Sequence, residues 1–327
     1  MIRPRIFVAH KIPDEAIEIL SSKFDVEVNR NDSPLSREEL YKIIKDKNGI
    51  VTLLTDQWDE DLLSKGHNLK IIANVAVGYD NIDVETATRL GILVTNTPDV
   101  LTETTADFTW ALMLALARKV VIADRFVREG KFKKWEIDLF LGQDIHGKSL
   151  GIIGLGRIGK AVARRAQGFM MELFYYDIKR DKEAEMNLKI SYLPLNELLS
   201  RSSFITLHLP LLPSTQHLIG EKEFSIMKPT AFLINTSRGA VIDEKALIKA
   251  LKNGEIAGAA LDVYENEPEM PQELIKMDQV VLTPHIASAS AHTRTQMSLI
   301  AARSIIDFFE GRRPTYCVNP EVWEKEQ

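Results

Sequence analysis

The chain has 327 residues, 45% hydrophobic and 27% charged, with a formal net charge of -5 and one cysteine. This length and balance describe a globular chain of two domains, and the acidic excess with no basic run argues against a nucleic-acid surface. Cys317 alone forms no intrachain disulfide, no apolar run reaches the ~18 residues of a membrane span, and Met-Ile-Arg-Pro-Arg leads into a strand without a secretory h-region, so a reducing cytoplasm is expected.

In chain order, apolar and β-branched runs predict strands over 5–10, 25–29, 49–54, 71–75 and 93–95. Between them, helices open near Pro13 and Asp14, at Ser36 with Glu39 completing a capping box, over 59–64, and over 83–90. Asp83 is the expected N-cap of that last helix and Gly91 its terminator. Thr97-Pro98-Asp99 breaks the alternation, and a long apolar helix is expected from about 104 to 127. Residues 131–144 read as irregular, with Trp135 and Phe140 among charged neighbours.

A second alternation starts at Ser149, with strands over 149–153, 172–176, 191–193, 204–209, 231–235, 258–263 and 280–283. Helices fill the gaps, notably 160–170, 195–200 and 243–252. The run Ala287-Ser288-Ala289-Ser290 leads into a final helix over 291–309. The tail, 311–327, holds no further strand–helix unit and is expected to rejoin the first domain. The fold class is therefore α/β, two parallel sheets covered by helices, with boundaries at 1–99 plus 290–327 and at 100–289. Two crossings between the halves imply an active-site cleft between them.

Leu150 to Lys160 reads Leu-Gly-Ile-Ile-Gly-Leu-Gly-Arg-Ile-Gly-Lys, a buried strand running into Gly-x-Gly-x-x-Gly and then a helix. In a dinucleotide-binding turn Gly154 allows the tight turn, Gly156 lets backbone approach a pyrophosphate, and Gly159 lets helix pack on strand. N–H groups at the helix start then face the phosphates. Any tight strand-to-helix turn can produce such glycines. Here the next strand ends in Asp177, about twenty residues on, where a ribose 2′-hydroxyl needs an acceptor. The combination reads as a nucleotide site.

Three carboxyl-end turns of the second half carry unusual polar groups: Asn235-Thr236-Ser237-Arg238-Gly239, Asp262 with Glu265 and Glu267, and Thr283-Pro284-His285. Hydride transfer to a carbonyl needs a proton donor for the developing alkoxide, which histidine supplies near neutral pH. An α-keto acid also needs a cation for its carboxylate, and arginine's fork matches that group. A carboxylate beside a histidine keeps it protonated for reduction. Arg238, His285 and Glu267 supply these parts. Singly they read as a surface arginine, a satisfied buried imidazole and a solvated loop acid; jointly, each after a strand of one nucleotide-binding sheet, they read as a catalytic set. No metal site is expected.

Gly-Leu-Gly-Arg-Ile-Gly, Asn-Thr-Ser-Arg-Gly, Leu-Asp-Val-Tyr-Glu-Asn-Glu-Pro and Leu-Thr-Pro-His-Ile-Ala-Ser, in this order, resemble the D-isomer-specific 2-hydroxyacid dehydrogenases. The resemblance covers essentially the whole chain. It implies a Rossmann domain, a flavodoxin-like substrate domain and a homodimer. It implies that Arg238 binds the substrate carboxylate and carbonyl, and that His285 is the acid/base with Glu267 as its partner. Gly154, Leu155, Gly156, Arg157, Ile158 and Gly159 would line the pyrophosphate, and Asp177 with Ile178 and Lys179 would meet the adenosine ribose. Thr236, Ser237, Asp262, Ile286 and Ala287 would lie toward the nicotinamide end. Ala76-Val77-Gly78-Tyr79-Asp80-Asn81 looks like the family's substrate loop, offering N–H groups near Val77 and Gly78; read alone it is a glycine turn after a strand.

Within the family the chain is most similar to glyoxylate/hydroxypyruvate reductases, through Leu53-Leu54-Thr55-Asp56, Val77 to Asn81, and Thr97 to Thr102 with Thr105-Ala106-Asp107. Many of these carry a small or basic residue where Asp177 stands, so NADH is the expected cofactor, with NADPH possible through Lys179 and Arg180. Leu53, at a strand end where phosphoglycerate dehydrogenases place an arginine, implies a small unphosphorylated 2-keto acid. The segment there runs apolar then acidic, and Lys11 is the nearby cation that could bind phosphate. Phosphoglycerate, D-lactate and phosphite dehydrogenases are the enzymatic alternatives. The corepressors that share the fold and triad are the alternative of another class. The uniformly apolar stretch 108–117, flanked by Trp135 and Phe140, is the expected subunit contact.

Overall fold

All strand pairs in the computed structural model are parallel. The structure describes residues 3–30 and 35–325; Met1 and Ile2 of the expected N-terminal lead, and Glu326 and Gln327 of the tail, lie outside them. The chain divides into unit 1, Met1–Leu101 with Ala289–Gln327, and unit 2, the unbroken stretch Thr102–Ser288.

In unit 1, β1 (Arg5–Val8), β2 (Asp25–Val28), β3 (Gly49–Thr52), β4 (Ile71–Asn74) and β5 (Leu93–Thr95) form one sheet in the order β2-β1-β3-β4-β5. Strands β3 and β4 are buried throughout, which is why they read as continuous apolar runs rather than alternating ones. Phe7, Ile50, Ile72 and Val94 pack on one face against Leu40, Ile44, Trp58 and Leu62. Helices Asp14–Ser21 and Ala291–Phe309 pack against each other, and the second also lies against β3 and β4. The Ser36/Glu39 capping box and the Asp83 cap are both present. The tail rejoins this unit: Val318 N–H donates to the Val94 carbonyl at 2.8 Å, and Asn319 Oδ1 accepts from Val94 N–H at 2.7 Å. It also forms a short helix, Glu321–Lys325, that its composition did not signal.

In unit 2, β6 (Ser149–Ile153), β7 (Glu172–Tyr176), β8 (Ile190–Tyr192), β9 (Phe204–Leu207), β10 (Phe232–Asn235), β11 (Gly258–Leu261) and β12 (Val280–Leu282) form a sheet in the order β12-β11-β10-β9-β6-β7-β8. Leu150, Ile152, Phe204 and Ile234 face the helices Thr102–Ala117 and Arg157–Ala166. Ile153, Ile205, Leu207 and Leu233 face Leu198, Phe224 and Leu247 on the other side. The chain leaves β6 toward β7 and β8, then returns to β9 on its other flank. The crevice at this reversal, beyond the strand carboxyl ends, is where such sheets bind ligands.

The expected helix over 104–127 is two helices, Thr102–Ala117 and Val120–Arg128, broken at Lys119, whose φ is 55°. No glycine or proline marks that break, so periodicity ran straight through it. The stretch expected to form the subunit contact is also placed differently. Trp110, Leu112, Met113 and Leu116 are buried in the core of their own unit, with Trp110 Nε1 donating to the Val162 carbonyl at 3.2 Å. Apolar surface lies further on instead, at Val120, Val127, Phe132, Trp135, Ile137 and Leu141.

Candidate active site

The glycine turn after β6 has the close backbone packing and the open middle position that a dinucleotide cradle needs. Gly154 has φ 93°, and a Cβ there would stand 2.5 Å from the His208 carbonyl oxygen. A Cβ on Gly159 would stand 2.2 Å from the Gly154 carbonyl oxygen, so strand and helix meet backbone to backbone. Gly156 differs: no atom lies within 4 Å of its Cβ position, and it precedes Arg157–Ala166 without a side-chain cap. The open space at Gly156 leaves room at the start of that helix, whose N-terminus carries a partial positive charge suited to a pyrophosphate. Asp177 Oδ2 accepts the Leu155 N–H at 2.8 Å, which fixes the carboxylate beside the turn. Arg157, Ile178 and Lys179 are exposed and Ile158 is half-buried. Arg180 is turned to Glu185, with bonds of 2.6 and 2.8 Å.

Neighbouring strands β10, β11 and β12 deliver the three chemistry-bearing side chains. Asn235 organises the turn after β10: its Nδ2 donates to the Arg238 carbonyl at 2.8 Å, while its Oδ1 accepts from Ser237 N–H and Oγ at 3.0 and 2.8 Å. Arg238 donates from a guanidinium N–H to the Ser237 carbonyl at 2.8 Å. Thr236 is buried, its hydroxyl 2.9 Å from that of Thr109. Gly239 lies directly against the Tyr264–Glu265 peptide, bringing the Arg238 turn onto the loop that carries Glu267.

His285 Nδ1 lies 2.8 Å from Glu267 Oε2, and Glu267 Oε1 accepts the Tyr264 N–H at 2.9 Å. Burial by itself would push the Glu267 carboxyl up. The His285 hydrogen bond and charge, the Tyr264 N–H and the charge of Arg238 together hold it below the ordinary carboxylate range. Glu267 is thus an anion at neutral pH, and with Nδ1 engaged the other ring nitrogen, Nε2, remains for a substrate. The His285 backbone is left-handed, φ 53°, and its N–H donates to the Asp262 and Thr283 carbonyls at 2.8 and 3.1 Å.

Asp262 is fully buried. Its Oδ1 accepts from Thr283 Oγ1 at 2.6 Å and Ile286 N–H at 2.9 Å, and its Oδ2 from Ala287 N–H at 2.7 Å. Burial pushes this carboxyl up, against the pull of those donors. Its direct work is to fasten the chain on both sides of His285, a support no spacing rule identifies. Glu244 was missed for a similar reason. In sequence it is an ordinary first-turn acid, yet it is buried, its carboxyl pushed up by burial, and accepts the Glu265 N–H at 2.8 Å. Burial pushes His208, after β9, down to about 3, and its Nε2 has no hydrogen-bond partner among the described residues.

In unit 1, Leu53 and Leu54 follow β3 and are half-buried, and Val77 and Gly78 follow β4. The Val77 and Gly78 carbonyls accept from Asn96 Nδ2 at 2.8 Å and Asn74 Nδ2 at 2.9 Å, whereas neither N–H has an acceptor among the described residues. Two free N–H groups at a strand end suit a carboxylate. Lys11 is exposed. Asp56, expected to make the strand end acidic, is instead buried and internally bonded, with Thr52 Oγ1 donating to one carboxylate oxygen and His10 Nε2 against the other. No group of His, Cys, Asp and Glu suited to a metal occurs among the described residues, and no helix among them is long and apolar enough to cross a membrane.

Residues 110–287 match the family model described as the NAD-binding domain of D-isomer specific 2-hydroxyacid dehydrogenases. A glyoxylate reductase of Korarchaeum cryptofilum is 50% identical over 323 residues, covering 98% of this chain and 97% of its own. A solved structure from Thermus thermophilus aligns with a TM-score of 0.91 at 40% identity, covering 96% of this chain and 99% of that one. An NADPH-dependent glyoxylate/hydroxypyruvate reductase of Sinorhizobium meliloti, solved with NADP and malonate, aligns with a TM-score of 0.84 at 34% identity, covering 97% of each chain.

Proposed function

The chain belongs to the D-isomer-specific 2-hydroxyacid dehydrogenases, NAD(P)-dependent oxidoreductases, and from that premise we propose that it reduces small unphosphorylated 2-keto acids, glyoxylate and hydroxypyruvate foremost, to glycolate and D-glycerate. The observation that carries the reading is the His285–Glu267 pair, set on the strand end beside the Arg238 turn in a sheet with an uncapped dinucleotide cradle. The reduced nicotinamide, when bound, supplies the hydride. Arg238 holds the substrate carboxylate and polarises its carbonyl with a charged fork. His285 gives the proton on Nε2 to the oxygen that gains charge, while Nδ1 stays on Glu267. Glu267, ionised at neutral pH, stabilises the imidazolium before transfer and orients the ring.

Within unit 1, the free N–H groups of Val77 and Gly78 suit a carboxylate, and the apolar Leu53 at the neighbouring strand end disfavours a dianionic tail. Glyoxylate reductase activity in a relative at 50% identity supports this substrate class over phosphorylated acids. Steady-state kinetics with glyoxylate, hydroxypyruvate, pyruvate and 3-phosphohydroxypyruvate tests it. A tenfold advantage in kcat/KM for 3-phosphohydroxypyruvate, about 1.4 kcal/mol of transition-state preference, would overturn the substrate reading. Absence of NADH oxidation with every acid would favour a nucleotide-sensing protein.

NADH is preferred over NADPH because Asp177 is held beside the glycine turn while Arg180 is committed to Glu185. The protein is a cytoplasmic homodimer joined through the apolar surface between Val120 and Leu141.

A further inference from the structure

The sheet of unit 1 has its own reversal point, between β1 and β3, and one histidine–carboxylate contact spans it. His10, two residues past β1, places Nε2 2.6 Å from Asp56 Oδ1. Asp56 Oδ2 accepts from Thr52 Oγ1 at 2.6 Å and lies 3.3 Å from the Leu53 N–H. Trp58 Nε1 donates to Thr52 Oγ1 at 2.8 Å, which orients that hydroxyl toward the carboxylate. Asn81 then closes the turn from the other side, its Nδ2 donating to the Leu53 carbonyl at 3.1 Å and the Asp56 carbonyl at 3.0 Å. Its Oδ1 accepts from Asn74 Nδ2 at 3.2 Å, and Asn74 Nδ2 also donates to the Gly78 carbonyl at 2.9 Å. One connected network therefore runs from His10 to Gly78.

We propose that Asp56, held by His10 and Thr52 and linked through Asn81 and Asn74, is a positioning residue that fixes the Leu53 turn and the Val77–Gly78 loop in one register for the substrate carboxylate. This rests on the assignment of those two loops to substrate binding. A buried carboxylate is retained only where partners meet it, and unmade hydrogen bonds there are costly. Here every partner belongs to, or holds, a substrate loop. The carbonyls of Val77 and Gly78 are occupied, so rotating that loop to bring its N–H groups elsewhere would break bonds already made. Loss of the network should thus displace binding groups without touching the proton donor in unit 2.

The test is steady-state kinetics of the full enzyme with glyoxylate, with thermal melts in parallel. Asp56→Ala should raise KM for glyoxylate by about tenfold or more, as expected when binding groups shift by a fraction of an ångström. KM for NADH and kcat at saturation should stay within about twofold. Asp56→Asn, which keeps an acceptor for Thr52, should recover most of the KM. Should Asp56→Ala fail to fold, Asn81→Ser frees the Leu53 and Asp56 carbonyls with the His10–Asp56 contact intact, and the same rise in KM is expected. A lowered melting temperature with unchanged glyoxylate KM in the folded variants would overturn the positioning role alone. A wild type that reduces no small 2-keto acid would overturn the underlying reading, and this inference with it.

Discussion

A methyl group on Gly239 would sit 1.9 Å from the carbonyl carbon of Tyr264 and 2.0 Å from its oxygen. The contact is backbone on backbone, so no side chain can swing away to admit it. It sets the spacing between the turn that carries Arg238 and the loop that carries Glu267. Gly239→Ala should cost about 1–3 kcal/mol of stability, as overpacking does. It should also lower kcat/KM by about tenfold or more through misplacement of the two side chains. Thermal melts and steady-state assays on the same preparation check both; normal kinetics in a destabilised variant would show that the two loops move together.

His285→Ala should lower kcat by roughly 10²–10⁴-fold, the range for a lost general acid. Glu267→Gln, which removes the anion that accepts at His285 Nδ1, should lower kcat by a smaller factor than His285→Ala does. Unchanged kcat in the glutamine variant would show that the pair does not act together.

The same glutamate makes a separate prediction for stability. Its carboxyl is held below the ordinary range, so the folded state favours the anion more than the unfolded state does. That contribution is complete above the unfolded value, about 4.3, and is lost as pH falls through the lower folded value. The stability gap between wild type and Glu267→Gln should therefore shrink as the solution is acidified below about pH 5. Denaturant titrations at several pH values measure it.

Asp177→Ser should shift the ratio of kcat/KM values toward NADPH by removing a carboxylate that repels a 2′-phosphate, a juxtaposition worth several kcal/mol. NADH itself should bind more weakly, since the Leu155 N–H also loses its acceptor. A wild type that uses both cofactors equally would contradict the role given to Asp177.

Trp135 and Ile137 are 76% and 79% exposed on an irregular segment with Phe132 and Leu141 nearby. Light scattering at micromolar concentration should give a dimer mass, and Ile137→Glu should shift it toward the monomer with little change in the far-UV spectrum. A monomeric wild type would remove the proposed interface.

Strands were legible because buried parallel strands are written as short apolar runs, and most differ from expectation only by one or two terminal residues. Caps at Ser36 and Asp83 were legible because local side-chain-to-backbone bonds need fixed residue types at fixed offsets. The break at Lys119 was not, since a lysine can take the left-handed region without any compositional mark. Arg238, Glu267 and His285 could be picked out because each follows a strand of one sheet. Glu244 and the positioning bonds of Asp262 and Asp56 could not, because the partners are mostly backbone N–H groups and hydroxyls brought in by tertiary packing.

Arg238, Glu267 and His285 all belong to the unbroken segment Thr102–Ser288, whereas unit 1 is assembled from both ends of the chain. The proposed cofactor cradle and proton chemistry are thus encoded together in one contiguous cassette. Descent can vary the flanking sequences, and with them the loops at Leu53 and Val77, without rewriting the reaction. A chimera that keeps this cassette and takes its outer segments from a relative with another substrate would change which acid is reduced while hydride and proton delivery stay as they are.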